Sequence, residues 1–200
     1  MTISEDLDAQ TLEDWAGPQH LGLTLVFTDI VDSTNIGIKL GDTRWIENLF
    51  VHFSSARTFA FRYDGYVVKV IGDSLMVAFR TSSDAVQFAM AFSVDTGGNY
   101  IGIRVGIHSG QVEIRENDIY GLNVNLAARV QHVLPGEGIL VTDPVKRDYE
   151  RRFGRDSGAR FIPREVDLKS FGKETVYFVK TPELMNARQS RSALLKAGAS

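Results

Sequence analysis

The stretch GYVVKVIGDSLMVAF, residues 65–79, holds two apolar runs separated only by Gly72-Asp73. A Gly-Asp pair between strand-like runs signals a hairpin, because tight two-residue turns need a residue that tolerates positive φ. Upstream, LTLVFT (23–28) reads as a buried strand. STNIGIKLGDTRWIENLFVHFSSARTFAFRY (33–63) reads as a helix interrupted near Gly41, with Asp42 capping its second piece. Trp45, Leu49, Phe53 and Ala56 fall at helical spacing and read as a core stripe rather than a cofactor box. Downstream, SSDAVQFAMAFSV (82–94) is an amphipathic helix opened by Ser82 or Ser83, and IGIRVGIHSG (101–110) is a strand punctuated by glycine.

The order β-α-β-β-α-β predicts a ferredoxin-like α/β core. A C-terminal α/β extension follows. QVEIREND (111–118) is a short segment, and GLNVNLAARVQHVL (121–134) is a helix ended by Pro135-Gly136. GILVT (138–142) is a strand and DPVKRDYERRF (143–153) a helix with proline in its first turn. FIPREVDL and TVYFVK are late strands. Residues 1–20 read as an acidic lead-in with one helical turn around TLEDWA, ended by Gly17 and Pro18. Residues 181–200 read as a loose helix or a disordered tail.

Composition narrows the function classes. With 200 residues, 44% hydrophobic and 24% charged, the chain suits one globular domain of ordinary core size. It has no cysteine, which excludes disulfides, thiolate metal sites and a cysteine nucleophile. A net charge of -3 argues against nucleic acid as the main partner. The first twenty residues carry five carboxylates and no lysine or arginine, unlike a signal peptide. No apolar run approaches the ~20 residues that cross a bilayer. The expectation is a cytoplasmic protein with no membrane partner.

Chemistry enters with FTDIVDST, residues 27–34. Asp32 or Ser33 reads as a helix N-cap, which leaves Asp29 unexplained at the end of a buried strand. Asp73 supplies a second carboxylate. In a βαββ arrangement the first strand lies beside the strand leading out of the hairpin, so Asp29 and Asp73 meet at one sheet edge. Two such carboxylates repel unless a cation lies between them. Mg²⁺ or Mn²⁺ suits this pair, since hard cations choose oxygen ligands and bind through one or two carboxylates plus phosphates. Free N–H groups at the helix start after Val31 suit a phosphate.

FTDIVDST, GYVVKVIGDSLMVAF, RVGIHSG and DIYGLNVNLAARV, in this order, resemble the successive signatures of class III nucleotidyl cyclases. The likeness runs from about Leu21 to Val179. It is most similar to stand-alone bacterial members with a short dimerisation arm, here QVEIREN. The resemblance implies a catalytic domain over residues 21–180. It further implies a head-to-tail homodimer and conversion of a nucleoside triphosphate to a 3′,5′-cyclic nucleotide and pyrophosphate with two divalent cations. Asp29 and Asp73 match the metal-binding pair, with the Ile30 carbonyl as a further ligand. Asn125 matches the residue that orients the ribose, and Arg129 the one that stabilises charge on the α-phosphate. On spacing alone, a solvated arginine and a cap-proximal asparagine are the preferred reading.

Lys69 and Asp118 match the base-selecting pair, although an edge-strand lysine and a loop carboxylate are the plainer readings. A lysine donor and a carboxylate acceptor complement adenine N1 and N6. Guanine and uracil present the reverse polarity. Cytosine has adenine's polarity, so polarity cannot separate ATP, the favoured substrate, from CTP; pocket size must. Lys169 and Lys173 in DLKSFGKETVYFV are candidates for the triphosphate contact, though neither aligns cleanly. The alternatives are a pyrimidine cyclase of an antiviral signalling system, and a catalytically dead regulatory module. The latter is disfavoured because both carboxylates, Asn125 and Arg129 are present. The four histidines show no ligand spacing and read as packing residues. Lys69 and Asp73 lie roughly 13 Å apart along one strand, at about 3.3 Å per residue. The resemblance resolves this by sharing each site between two chains, Asp29 and Asp73 of one facing Lys69, Asp118, Asn125 and Arg129 of the other.

Overall fold

The computed structural model describes residues 10–17, 22–97, 101–155 and 157–197. β1 (Leu23–Ile30), β2 (Gly65–Ile71), β3 (Ser74–Phe79) and β4 (Ile103–Gly110) form the antiparallel core in the order β2-β3-β1-β4. β7 (Gly138–Thr142) adds parallel to β4, and β9 (Gly172–Lys180) and β8 (Arg160–Leu168) complete the seven-stranded sheet β2-β3-β1-β4-β7-β9-β8. This is the ferredoxin-like core with its C-terminal extension. The turn at Gly72-Asp73 has two residues, and Gly72 takes φ 63°, the first-position conformation for which such a turn demands glycine.

The central strands are apolar on both faces because both are covered. Val26, Ile30, Val77, Phe79 and Ile107 pack beneath α3 (Asp42–Arg62), α4 (Ser82–Val94) and α6 (Asp143–Phe153). The stripe through Trp45, Leu49, Phe53 and Ala56 lies against this cluster. Leu25, Met76 and Ala78 face the other way, beneath α1 (Leu12–Ala16), α5 (Leu122–His132) and the hairpin of β5 (Glu113–Arg115) and β6 (Asp118–Tyr120). α5 settles on β4 because Gly106 has no Cβ; one built there would lie 2.2 Å from the Gln131 amide nitrogen. Among the described residues no helix is long and apolar enough to cross a membrane.

Several expectations need correction. α4 is capped by Thr81, whose extended backbone lets its Oγ1 accept from the Asp84 amide at 3.1 Å. Ser82 and Ser83 are buried inside the helix instead. The long helical stretch does break at Gly41, between α2 (Ser33–Leu40) and α3, but Gly41 with φ 77° occupies the N-cap and Asp42 is already helical. QVEIREND contains a hairpin turn, with Glu116 and Asn117 at φ 52° and 59°. The helical turn expected at TLEDWA is α1, and it is packed, with Leu12 and Trp15 buried. Gly17 ends it; Pro18 lies outside the described residues. α7 (Pro182–Ala197) is a docked helix whose Arg191 is buried between Glu137 and the Ser93 carbonyl.

Candidate active site

β1 delivers Asp29 to the sheet edge where the β2–β3 turn carries Asp73. Ser74, the residue after Asp73, donates its hydroxyl to Asp29 Oδ1 at 3.0 Å. The antiparallel register also places Asp29 opposite Arg104 on β4, and the two side chains form an ion pair. Arg104 Nε is buried and has no partner among the described residues. The Ile30 side chain is in the core, so its main-chain carbonyl is the only group it could offer to a ligand. The next residue is held by a bond from the Val31 amide to the Gly102 carbonyl at 2.9 Å. Two carboxylates and a carbonyl at one strand end are a donor set that fits a hard divalent cation. Asp29 already has a counter-charge in Arg104. Among the described residues no group of three or more His, Cys, Asp or Glu side chains gathers into a fuller metal cage.

Met76 pairs with Phe27 on one side and Lys69 on the other, so Lys69 stands on the same sheet face as Asp29. β2 is an edge strand of this chain, but Lys69 is no free edge lysine. Its Nζ donates to both Asp118 oxygens, at 2.8 and 2.6 Å. Asp118 Oδ1 also accepts from the Ile119 amide at 2.7 Å. Burial pushes the Asp118 carboxyl up, but the Lys69 bond, the Ile119 amide and the Lys69 charge together outweigh it and hold the group below the usual carboxylate range.

Asn125 and Arg129 stand one turn apart on α5, Asn125 exposed and Arg129 half-buried. Neither has a side-chain partner among the described residues. What aims their helix is a buried relay. Asn123 Nδ2 donates to the Gln111 carbonyl at 2.7 Å, leaving its Oδ1 to accept from His108 Nε2 at 2.9 Å. His108 Nδ1 then accepts from the Thr142 hydroxyl at 2.9 Å. Burial lowers the His108 pKa, against the Asn123 bond and the Glu174 charge, so the ring works as the neutral tautomer this relay needs.

The family model described as the adenylate and guanylate cyclase catalytic domain matches residues 17–181. The chain belongs to this family, the class III nucleotidyl cyclases. It is 27% identical to the receptor-type adenylate cyclase ESAG 4 of Trypanosoma brucei brucei over 60% of this chain, and spans 14% of that protein. The same identity and coverage hold for an adenylate cyclase of Streptomyces coelicolor, of which it spans 32%. Its fold is similar to that of the adenylyl cyclase CyaB from P. aeruginosa, with TM-score 0.68 and 20% identity, covering 80% of this chain and 93% of that one.

Within one chain, then, Asp29 is paired with Arg104 and bonded to Ser74, the residue after Asp73, while Lys69 is paired with Asp118. Lys169 and Lys173 join neither. They are exposed at the β8–β9 turn, which the strand registers put at the sheet end opposite Asp29. The sequence reading missed Arg104 and Asn123. Arg104 carried one signal, being the lone charge in the apolar strand segment IRVGI. Of the histidines, His52 and His108 are buried and His132 is exposed; His20 lies outside the described residues.

Proposed function

We propose that the protein is a nucleotidyl cyclase, with ATP as its favoured substrate, acting as a homodimer with two shared sites. The observation that carries this reading is the placement of Asp29 at the end of β1 beside the β2–β3 turn that holds Asp73, with Ser74 bonded to Asp29 and Arg104 paired with it. The ribose 3′-oxygen attacks the α-phosphorus of its own triphosphate. A new O–P bond closes the ring, the bond to pyrophosphate breaks and the hydroxyl proton is lost. Nucleophile and electrophile share one molecule, so positioning and charge stabilisation are what the protein must supply. Asp29, Asp73 and the Ile30 carbonyl are the groups that would hold Mg²⁺ or Mn²⁺, and such a cation would supply acidification of the hydroxyl and charge neutralisation of the pyrophosphate.

The remaining roles fall to this chain's side chains. Arg129 meets the charge growing on the α-phosphate with a planar cation that never deprotonates. Asn125, one turn earlier on the same helix face, orients the ribose. Arg104, paired with Asp29, is a second cation placed beside the carboxylate and would be available to a phosphate oxygen if Asp29 took a metal. Lys69 and Asp118 read the base, because three ammonium protons and two carboxylate oxygens leave capacity for adenine N1 and N6 alongside their own bond. Lys169 and Lys173 are left as the candidates for the outer phosphates, reached across the dimer. Cytosine offers the same polarity, which makes cytidylate cyclisation the second reading.

The test is incubation with ATP, GTP, CTP and UTP in turn, each with Mn²⁺, and resolution of cyclic products by mass. Cyclic AMP as the dominant product is expected, with Asp73→Asn inactive but folded, since the change removes charge and little volume. Near wild-type turnover in that variant would sink the two-carboxylate site.

A further inference from the structure

The β5–β6 hairpin that carries Asp118 stands outside the seven-stranded sheet, as a separate two-stranded ribbon with three residues per strand. Ribbons of this size are marginal alone. Something else must hold Asp118 to Lys69 on β2. The bonds that do so converge on the turn residue immediately before Asp118. Asn117 Oδ1 accepts from the Leu12 amide of α1 at 2.6 Å. The Asn117 amide donates to Glu13 Oε1 at 3.0 Å. The Tyr66 hydroxyl, three residues before Lys69 on β2, lies 3.4 Å from the same Asn117 oxygen.

α1 in turn grips β2 and its neighbour strand. The Trp15 ring packs on Tyr66 with centroids 5.6 Å apart. Arg80, just past β3, donates to the Trp15 carbonyl at 2.7 and 3.1 Å and lies over its ring at 4.8 Å. Leu12 and Trp15 share one buried cluster with Ile119, the residue after Asp118. α1 is therefore a bracket with one end on the strand of Lys69 and the other on the turn of Asp118.

We propose that Asn117, through α1, is the positioning residue that sets base discrimination. This rests on the reading of Lys69 and Asp118 as the base contacts. Asn117 touches no substrate; it fixes where the Asp118 carboxylate sits. Asparagine suits the task because it tolerates the left-handed conformation the turn imposes and still presents an acceptor to the Leu12 amide. Loss of the Leu12 bond frees the ribbon to move against β2, so a carboxylate that must meet one base edge becomes spread over several positions. The consequence falls on nucleotide binding and selectivity. The cation cluster at Asp29 and Asp73 rests on the main sheet and is untouched.

Asn117→Gly keeps the left-handed turn and removes only the side chain. It should raise KM for the preferred nucleotide about fivefold, the factor typical of one lost hydrogen bond, and narrow its preference over the other three nucleotides. kcat and the Mn²⁺ dependence should stay at wild type. Asn117→Asp, which keeps the acceptor, should restore KM and preference. Lys69→Ala is measured in parallel, with melting curves for all variants. If Lys69→Ala alters the preference and Asn117→Gly does not, the positioning role is wrong while base reading stands. A change in Asn117→Gly confined to melting temperature, or falling equally on kcat and KM, also overturns it. If Lys69→Ala leaves the preference intact, base reading fails and this proposal fails with it.

Discussion

Asp118 illustrates how neighbours, more than residue type, set the behaviour of a side chain. Its carboxyl is pushed up by burial and then held below its ordinary range by the Lys69 bond, the Ile119 amide and the Lys69 charge. A carboxylate whose folded pKa is depressed contributes stability above its unfolded pKa, and that contribution is lost as pH falls through the folded value. The Lys69–Asp118 pair should therefore persist through neutral and mildly acidic solution and part only below the usual carboxylate range. In Lys69→Met, burial is opposed by the Ile119 amide alone, so the titration should move upward. Carboxyl-labelled NMR of Asp118 checks this, and an unmoved midpoint would mean that the pair does not form in solution. At this scale the sequence was legible as placement: Asp29 lies at the end of β1, Asp73 in the two-residue turn between β2 and β3, and Lys69 and Asp118 side by side. Arg104 was not, because its partnership with Asp29 comes from the β1–β4 register, which pairs residues 75 positions apart.

Elements with strong periodicity or turn chemistry were equally legible, from the Gly72-Asp73 hairpin to the break at Gly41. The β5–β6 ribbon was not, since three-residue strands rich in charge carry neither alternation nor apolar runs. α7 shows a different limit. Its polar composition resembles a tail, yet Arg191 is buried, ion-paired with Glu137 and donating to the Ser93 carbonyl at 2.8 Å. A buried ion pair, together with Leu184 packed against the main core, docks an otherwise surface-like helix, and no local pattern announces the pair. Removing one partner leaves the other charge buried and unpaired. Arg191→Ala should thus lower unfolding free energy by about 3 kcal/mol in urea denaturation. Arg191→Met with Glu137→Gln should recover most of that loss, since no uncompensated charge remains. Equal destabilisation in the single and double variants would show that α7 docks by other contacts.

The whole molecule shows a sheet with its chemistry divided. Asp29 and Asp73 occupy one end, Lys169 and Lys173 the other, and no single chain brings these ends together. Beside the Lys69–Asp118 pair, Val70, Ile71, Tyr120 and Leu122 are exposed at 39, 51, 50 and 74%. The first two lie on β2, whose outer edge is unpaired among the described residues, and the other two at the end of β6 and the start of α5, the kind of exposed apolar groups that a second chain covers. An isologous two-fold dimer would bring each chain's Lys69, Asp118, Asn125 and Arg129 to face its partner's cation cluster, giving two equivalent sites that each need both chains. Asp73→Ala and Arg129→Ala should then each be inactive alone. Mixed in equal amounts and allowed to exchange subunits, they form mixed dimers in which one site carries both defects and the other carries none. Random pairing makes about half the dimers mixed, each with one good site of two, so activity should return to roughly a quarter of wild type. A mixture that stays dead after exchange has been verified by mass would mean that each chain builds its site alone.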